Sequence, residues 1–229
     1  MVLFENDDVL ALDKPPGVSM ATSSKEGKSA EDAVRRLLAA CGVDPPDPLP
    51  LLVHRLDTGT SGVVLFAKTP AAHRALSLSF QERHALKTYR ALVWGHPVPA
   101  KGSIDRALSR DPKDGRKMRV SGDGKPSVTR YATLARFSSL ADLSLAPETG
   151  RTHQIRVHLS AVGHPIVGDD FYGGASRWHG VRGRALREAL AGIARPLLHA
   201  ERIVVEELGL DVEARLPGDY ERILALLRK

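Results

Sequence analysis

Residues 51–68 read Leu51-Leu52-Val53-His54-Arg55-Leu56-Asp57-Thr58-Gly59-Thr60-Ser61-Gly62-Val63-Val64-Leu65-Phe66-Ala67-Lys68, an irregular polar loop between two apolar runs. Apolar runs this short and rich in Val and Leu predict buried strands on both sides, so a sheet grips the loop at each end. Inside the loop a cation, Arg55, and a carboxylate, Asp57, precede a Thr-Gly-Thr-Ser-Gly run. Such a run turns tightly, and its hydroxyls bond the local backbone. Two uses of Asp57 are open on this chemistry alone: a side-chain cap of the turn, or a carboxylate fixed in place for catalysis.

Upstream, residues 2–4 and 9–13 alternate as two strands split by the turn formers Asn6-Asp7-Asp8, which predicts an opening hairpin. Lys14-Pro15-Pro16-Gly17 ends it, with Lys14 in a structural role. Ser29 begins a helix whose Ala30, Val34, Leu37, Leu38 and Cys41 share a face and whose stop is Gly42. Prolines across 45–50 make an extended connector into the central strand. Downstream, Thr69 caps a helix with Pro70 in its first position and Ala72, Leu76, Ser79 and Phe80 buried against the strand that follows the loop. Residues 87–95 read as a strand with Tyr89, Ala91 and Val93 on one face.

Residues 106–125 hold seven Lys or Arg against three Asp, punctuated by Gly and Pro, and read as a basic loop without periodicity. Two antiparallel strands follow over 127–137 and 140–145. After the turn at 147–150, Thr152 is the expected cap of a helix with Ile155, Leu159 and Val162 inward. A second basic stretch, partly helical, carries Arg177, Arg182, Arg184 and Arg187 beside Trp178 and His179. Residues 203–206 and 210–214 form a closing hairpin, and Asp219 is expected to cap a last helix with Ile223, Leu224 and Leu227 inward.

The 229 residues are ample for a buried core, and their longest apolar runs fall well short of the roughly 18 residues a membrane span needs. A lone cysteine excludes an internal disulfide, and no secretory signal opens the chain, so a cytoplasmic protein without a membrane partner is expected. The charge of +6 and pI near 9.6 favour an anionic partner, nucleic acid first. A zinc site on His153 and His158 fails on geometry, since a spacing of five does not place them together on a helix or strand.

The wording His54-Arg55-Leu56-Asp57-x-x-Thr60-Ser61-Gly62 resembles the catalytic signature of pseudouridine synthases of the RluA type, which isomerise uridine within RNA. Two further blocks match in order. Lys87-x-Tyr89-x-Ala91 resembles the block whose tyrosine stacks on the target base. Thr149-Gly150-Arg151-Thr152-His153-Gln154-Ile155-Arg156-Val157-His158 resembles the third, and Gly168-Asp169-x-x-Tyr172-Gly173 and Leu197-Leu198-His199-Ala200 continue it. The likeness spans residues 8–205 and departs only where relatives often carry a His-Pro pair after the last of these strands.

The resemblance implies an isomerase on an α+β fold: a mixed, mostly antiparallel central sheet flanked by helices around a basic catalytic cleft. It implies Asp57 as the essential carboxylate, Arg156 as its ionic partner and Tyr89 as the group near the C5 proton. Arg55 would fill the space left by the flipped base, Ile155 would lie against that base, and His54, Arg151, His153 and Leu198 would contact substrate. The implied partner is ribosomal or transfer RNA. The expectation is one catalytic domain over 1–229 with no separate N-terminal RNA-binding module, acting as a monomer without cofactor, metal or obligatory protein partner. Asp57 can attack the ribose, attack the uracil ring or remove a ribose proton. A serine hydrolase is excluded because Gly59-Thr60-Ser61-Gly62 lacks the Gly-x-Ser-x-Gly spacing. A non-catalytic RNA-binding protein on the same fold is the remaining alternative.

Overall fold

In the computed structural model, which describes residues 1–21 and 29–229, the chain opens with the hairpin of β1 (Val2–Glu5) and β2 (Val9–Lys14). Asn6 closes it, its side-chain oxygen accepting the N–H groups of Asp8 and Val9 at 3.0 and 2.7 Å. Helix α1 (Ala30–Ala40) starts at Ser29 in a reciprocal capping box with Asp32. Its buried face is Ala33, Val34, Leu37 and Leu38; Ala30 is exposed, and Cys41 lies just past the last turn, where its thiol meets Asp13 O. The connector leads to β3 (Leu51–Leu52), β4 (Ser61–Ala67) and α2 (Pro70–Gln81), which Thr69 caps through the N–H of Ala72.

Every side chain of β4 is buried. It pairs with β2 from Val9↔Ala67 to Lys14↔Gly62 and with β3 at Leu51↔Ala67 and Leu52↔Phe66. Val63, Leu65 and Ala67 pack with Val9, Ala11 and with Ala72 and Leu76 of α2, while Leu10, Leu12, Val64 and Phe66 are buried on the opposite face. The run before the loop differs from expectation. Only two residues pair, and Leu51 is exposed, because the strand lies beyond the end of the Pro-rich connector and meets β4 for two positions only.

The following elements are β5 (Leu86–Trp94), β6 (Lys101–Asp105), β7 (Leu108–Arg110), β8 (Met118–Val120), β9 (Val128–Arg136), β10 (Leu140–Pro147) and α3 (Gln154–Ala161). Then come α4 (Arg184–Ala191), β11 (Leu198–Val205), β12 (Leu210–Glu213) and α5 (Gly218–Leu227). The described residues divide into two compact units: 1–87 with 200–215, and 88–199 with 216–229. In the first, the tail of β11 pairs antiparallel with β12. In the second, strands run antiparallel in the order β5, β10, β9, β6, and their core takes Ile155 and Leu159 from α3, Leu190 from α4 and Tyr220, Ile223 and Leu224 from α5. This is α+β architecture with mostly antiparallel pairing.

Three expectations are corrected. The basic segment 106–125 is not a structureless loop: β7 and β8 pair as a hairpin, Leu108↔Val120 to Arg110↔Met118. Its strands are three residues long, too short to carry an alternating pattern, and tertiary anchors hold them: Leu108 is buried, and the Met118 N–H donates to the Tyr172 hydroxyl at 2.9 Å. The cap of α3 is His153 in the left-handed region, φ 54°, and not Thr152. Asp219 does not cap α5; Pro217 holds that position, and the Asp219 carboxylate is instead turned to the Arg195 guanidinium, whose Nε and Nη2 donate to it at 2.7 and 2.6 Å in a charged fork, while Oδ1 also accepts the Tyr220 N–H at 2.8 Å.

Gly62, beside the loop end of β4, has φ 111°, and a Cβ there would stand 2.1 Å from the Ala200 carbonyl oxygen. Gly62→Ala therefore meets backbone strain and an overlap with main chain that cannot swing away. We expect a loss of roughly 2–4 kcal/mol, read as a lower urea midpoint at unchanged slope.

Candidate active site

The loop of the first unit is anchored by one buried cation. Lys14, the last residue of β2, has no exposed surface, and its ammonium donates to Pro15 O at 3.0 Å, Thr58 O at 3.2 Å and Thr60 O at 2.8 Å. Three N–H donors meet three carbonyls, two of them in the loop just after Asp57. The Thr60 N–H closes a turn on Asp57 O at 3.0 Å, and the Gly17 N–H donates to Thr58 O at 2.8 Å. The carboxylate of Asp57 thus rises, half-buried, from a backbone tied at several points.

His54 is the loop's other anchor. Its Nε2 lies 3.0 Å from the Leu65 N–H of β4, and because a backbone N–H can only donate, this nitrogen is the acceptor and the ring is neutral. The ring stacks on Phe80 of α2, centroids 4.6 Å apart, and the Lys87 ammonium lies 5.8 Å from the centroid of that phenyl ring. Burial, with a smaller contribution from the Lys87 charge, pushes the imidazole down to about 3. His54 therefore spends its ring on the scaffold, whereas Arg55 is exposed and Leu56 is buried.

The second unit holds Tyr89, Arg151, His153, Ile155, Arg156 and Leu198. Gln154 positions Arg151 and the start of α3. Its side-chain oxygen accepts from the Thr149 hydroxyl at 2.5 Å and the Arg151 N–H at 3.1 Å, and its amide nitrogen donates to Val128 O at 2.9 Å and the Thr129 hydroxyl at 3.1 Å. With all four of its hydrogen bonds made, a buried amide fixes where α3 begins. Thr129 in turn bonds His158 Nδ1 at 2.9 Å, and His158 Nε2 donates to Arg106 O at 3.0 Å, so both ring nitrogens are used within the fold. Burial, the largest influence on it, holds the His158 pKa below the usual histidine value.

Arg156, in the first turn of α3, is buried with its Nε and Nη2 on the two oxygens of Asp169, at 2.7 and 2.8 Å. Asp169 has no exposed surface and also accepts the Phe171 N–H at 3.1 Å. The guanidinium carbon lies 5.1 Å from the Tyr172 ring and 5.5 Å from the Phe171 ring, within cation–π range. His153 Nδ1 bonds the Tyr172 hydroxyl at 2.8 Å. A bidentate carboxylate and two aromatic rings therefore set the plane of the guanidinium.

Ile155 and Leu198 are buried in the core cluster of the second unit, and Tyr89, half-buried and paired to Leu145, packs on it. Arg151 is exposed. Within this unit the fold gathers Tyr89, Ile155 and Leu198 around one core and His153 and Arg156 around Tyr172. Sequence reasoning assigned no role to Asp169, Phe171, Tyr172 or Gln154, although Gly168-Asp169-x-x-Tyr172-Gly173 stood out as a pattern. A carboxylate and an aromatic beside two turn glycines were its only signal.

The family described as RNA pseudouridylate synthase matches residues 8–161. A ribosomal large subunit pseudouridine synthase D of Pseudomonas aeruginosa is 36% identical over 238 aligned residues, covering 100% of this chain and 72% of its own. The dual-specificity RNA pseudouridine synthase RluA of Escherichia coli K12 is 35% identical, with 96% of this chain and 94% of its own covered. Among solved structures, human RNA pseudouridylate synthase domain containing 4 superposes with a TM-score of 0.75 at 26% identity, over 99% of this chain and 92% of that one.

Two outcomes follow from the anchors. Lys14→Met keeps roughly the length of the side chain but leaves the buried Thr60 carbonyl without its ammonium donor and removes a bond from those of Pro15 and Thr58, and we expect it to cost about 2 kcal/mol in urea unfolding. For His54, a folded pKa of about 3 below an ordinary 6.5 means that the unfolded chain takes up the proton first. Its contribution is complete above pH 6.5 and is lost as pH falls toward 3, so the stability difference between wild type and His54→Phe should shrink over that interval.

Proposed function

The chain belongs to the RNA pseudouridylate synthase family, and we propose that it isomerises a uridine of ribosomal or transfer RNA with Asp57 as the essential carboxylate. That it is an RNA pseudouridine synthase, an isomerase whose partner is RNA, follows from the family. The assignment of roles to individual residues is our reading, and the observation that carries it is the pinning of the Asp57 loop by the Lys14 ammonium. A carboxylate that must meet one atom of a flipped nucleoside needs a backbone that does not move.

The reaction breaks the bond between ribose C1′ and uracil N1, turns the ring and forms a bond from C1′ to C5, after which the C5 proton leaves and N1 takes up a proton from solvent, so that product and substrate are isomers. Detachment develops positive character at C1′, which a carboxylate stabilises or traps, as carboxylates do in glycoside hydrolysis. In our reading Asp57 supplies it. Arg156 arrives with its plane already set by Asp169, so the cation assigned as partner of Asp57 needs little ordering during reaction. Tyr89 stacks on the uracil and receives the C5 proton, directly or through water. Arg55, exposed on the loop, takes the space left when the base flips from its stack, a step that costs a few kcal/mol.

Among the substrate contacts, Ile155 and Leu198 provide apolar surface for the base, and Arg151 and His153 meet the RNA backbone. His54 supports from below through Leu65. The relatives' names speak of ribosomal large subunit RNA and of dual specificity, and both resemble this chain to a similar degree. Among the described residues no helix is long and apolar enough to cross a membrane. We place the protein in the cytoplasm, as a monomer acting on RNA as one catalytic domain without cofactor or metal. No observation favours a purely binding role.

Tritium release from ribosomal and transfer RNA transcripts carrying 5-tritiated uridine tests this reading. Wild type should release tritium from one class. Asp57→Asn should release it at least about a thousandfold more slowly while binding the transcript as tightly. Release at an undiminished rate by Asp57→Asn would remove the carboxylate from the mechanism.

A further inference from the structure

Residues 174–187 take no part in the chemistry at the uridine, yet they are unlike an ordinary surface segment. They contain Arg177, Arg182, Arg184 and Arg187 and no acidic residue. Arg184 is matched one turn on by Glu188, Nε to Oε1 2.7 Å. Arg177 spends its Nε on the Gly173 carbonyl at 3.0 Å. Its terminal nitrogens, and the guanidinium groups of Arg182 and Arg187, meet no acidic partner among the described residues. Cations not neutralised by carboxylates are free to replace the counterions condensed on a polyanion, and release of those counterions drives binding.

Among these arginines stands an aromatic pair. Trp178 and His179 stack with ring centroids 3.8 Å apart and planes 18° from parallel. Trp178 packs on the core of the second unit, and His179 is exposed. His179 Nδ1 lies 2.8 Å from Ser176 O, and since a carbonyl only accepts, the proton is on Nδ1 and the ring is held in place. One face of the imidazole is covered by Trp178, so the face it presents to solvent is the other. An open aromatic face among unmatched guanidiniums is how proteins bind single-stranded nucleic acid, by base stacking within a basic surface. An acidic protein segment would answer the arginines but would leave the ring face unused.

The seat of this platform is rigid. The Gly174 N–H donates to Asp169 O at 2.8 Å, and Gly174 O accepts from Gly168 N–H at 3.2 Å and from the buried Trp94 indole at 2.8 Å. A Cβ on Gly174 would stand 1.7 Å from Ile166 O. The platform therefore grows from the same turn that presents Asp169 to Arg156.

We infer that residues 176–187 bind a single-stranded stretch of the substrate RNA flanking the target uridine, one base stacking on His179 and the phosphates meeting Arg177, Arg182 and Arg187. The inference rests on the RNA reading above and adds a second place where the substrate is held.

The test is a titration of intrinsic tryptophan emission with the unmodified transcript at several salt concentrations, with tritium release alongside. The protein has two tryptophans, and Trp178→Phe leaves only buried Trp94. Wild type should show a saturable emission change that Trp178→Phe loses. His179→Ala should weaken transcript affinity about tenfold through lost stacking. Arg177→Gln with Arg182→Gln should reduce the slope of log K against log salt by about 1.4, for two single-stranded phosphates, with the loss falling on KM. Lysines at the same two positions should restore the slope, which a packing role would not predict. An unchanged salt slope and affinity in the glutamine variant, with normal tritium release, overturns the surface alone. A saturating titration lost in Trp178→Phe, with no tritium released by wild type, supports the surface and overturns the activity reading.

Discussion

A single buried ammonium sets what the first unit can do. Lys14 lies at the end of a strand whose neighbours are apolar, and an unpaired charge there would cost several kcal/mol. The cost is met only if its three donors reach acceptors, and the carbonyls of Pro15, Thr58 and Thr60 are within reach only when the loop after β3 folds back over the end of β2. The charge therefore selects one loop conformation among many that a Thr-Gly-Thr-Ser-Gly sequence allows. Gly62 completes the selection, since its positive φ and close approach to Ala200 let the chain enter β4 directly below the loop.

The second unit uses the same logic with different groups. Gln154, Thr129 and His158 form a buried polar chain in which each donor and acceptor has a defined role, and Arg156 with Asp169 forms a buried ion pair. Such groups add little net stability compared with well-packed apolar side chains of the same volume. Their effect is on geometry: α3 is buried almost all round, from Gln154 to Leu159, and could rotate or slide on apolar contacts alone. The polar chain pins its start, and the ion pair pins Arg156 within the same first turn. Asp142 serves similarly deeper in this unit, accepting from Arg90 and from the Tyr220 hydroxyl of α5 at 2.8 Å.

The excess positive charge is concentrated in two segments, the β7–β8 hairpin and residues 174–187. Both meet the turn that carries Asp169 and Tyr172. Met118 of the hairpin donates to the Tyr172 hydroxyl, Arg116 and Lys117 lie 5.7 and 5.5 Å from the Phe171 ring, and Gly174 is bonded to Asp169. Both basic segments are thereby attached to the turn whose Asp169 orients Arg156.

Much of this was legible in the sequence. The opening hairpin, the capped helices α1 and α2, β4, β5 and the β9–β10 pair follow from periodicity and from turn and cap residues, whose effects act within a few neighbours along the chain. The candidate residues were legible as a resemblance over three blocks. What the sequence alone misassigned are features decided by distant partners. The β7–β8 hairpin has too few apolar positions to declare itself and exists because Tyr172 and a buried Leu108 hold it. Asp219 has the chemistry of a cap but is taken by Arg195. Distant partners also set His54, whose Nε2 accepts the Leu65 N–H and whose ring stacks on Phe80. The sequence by itself determined which groups are present and which segments become strand or helix, because those depend on local sterics and burial pattern. Only the tertiary structure decided which acceptor each charged or polar side chain meets, because that depends on the three-dimensional approach of residues far apart in the chain.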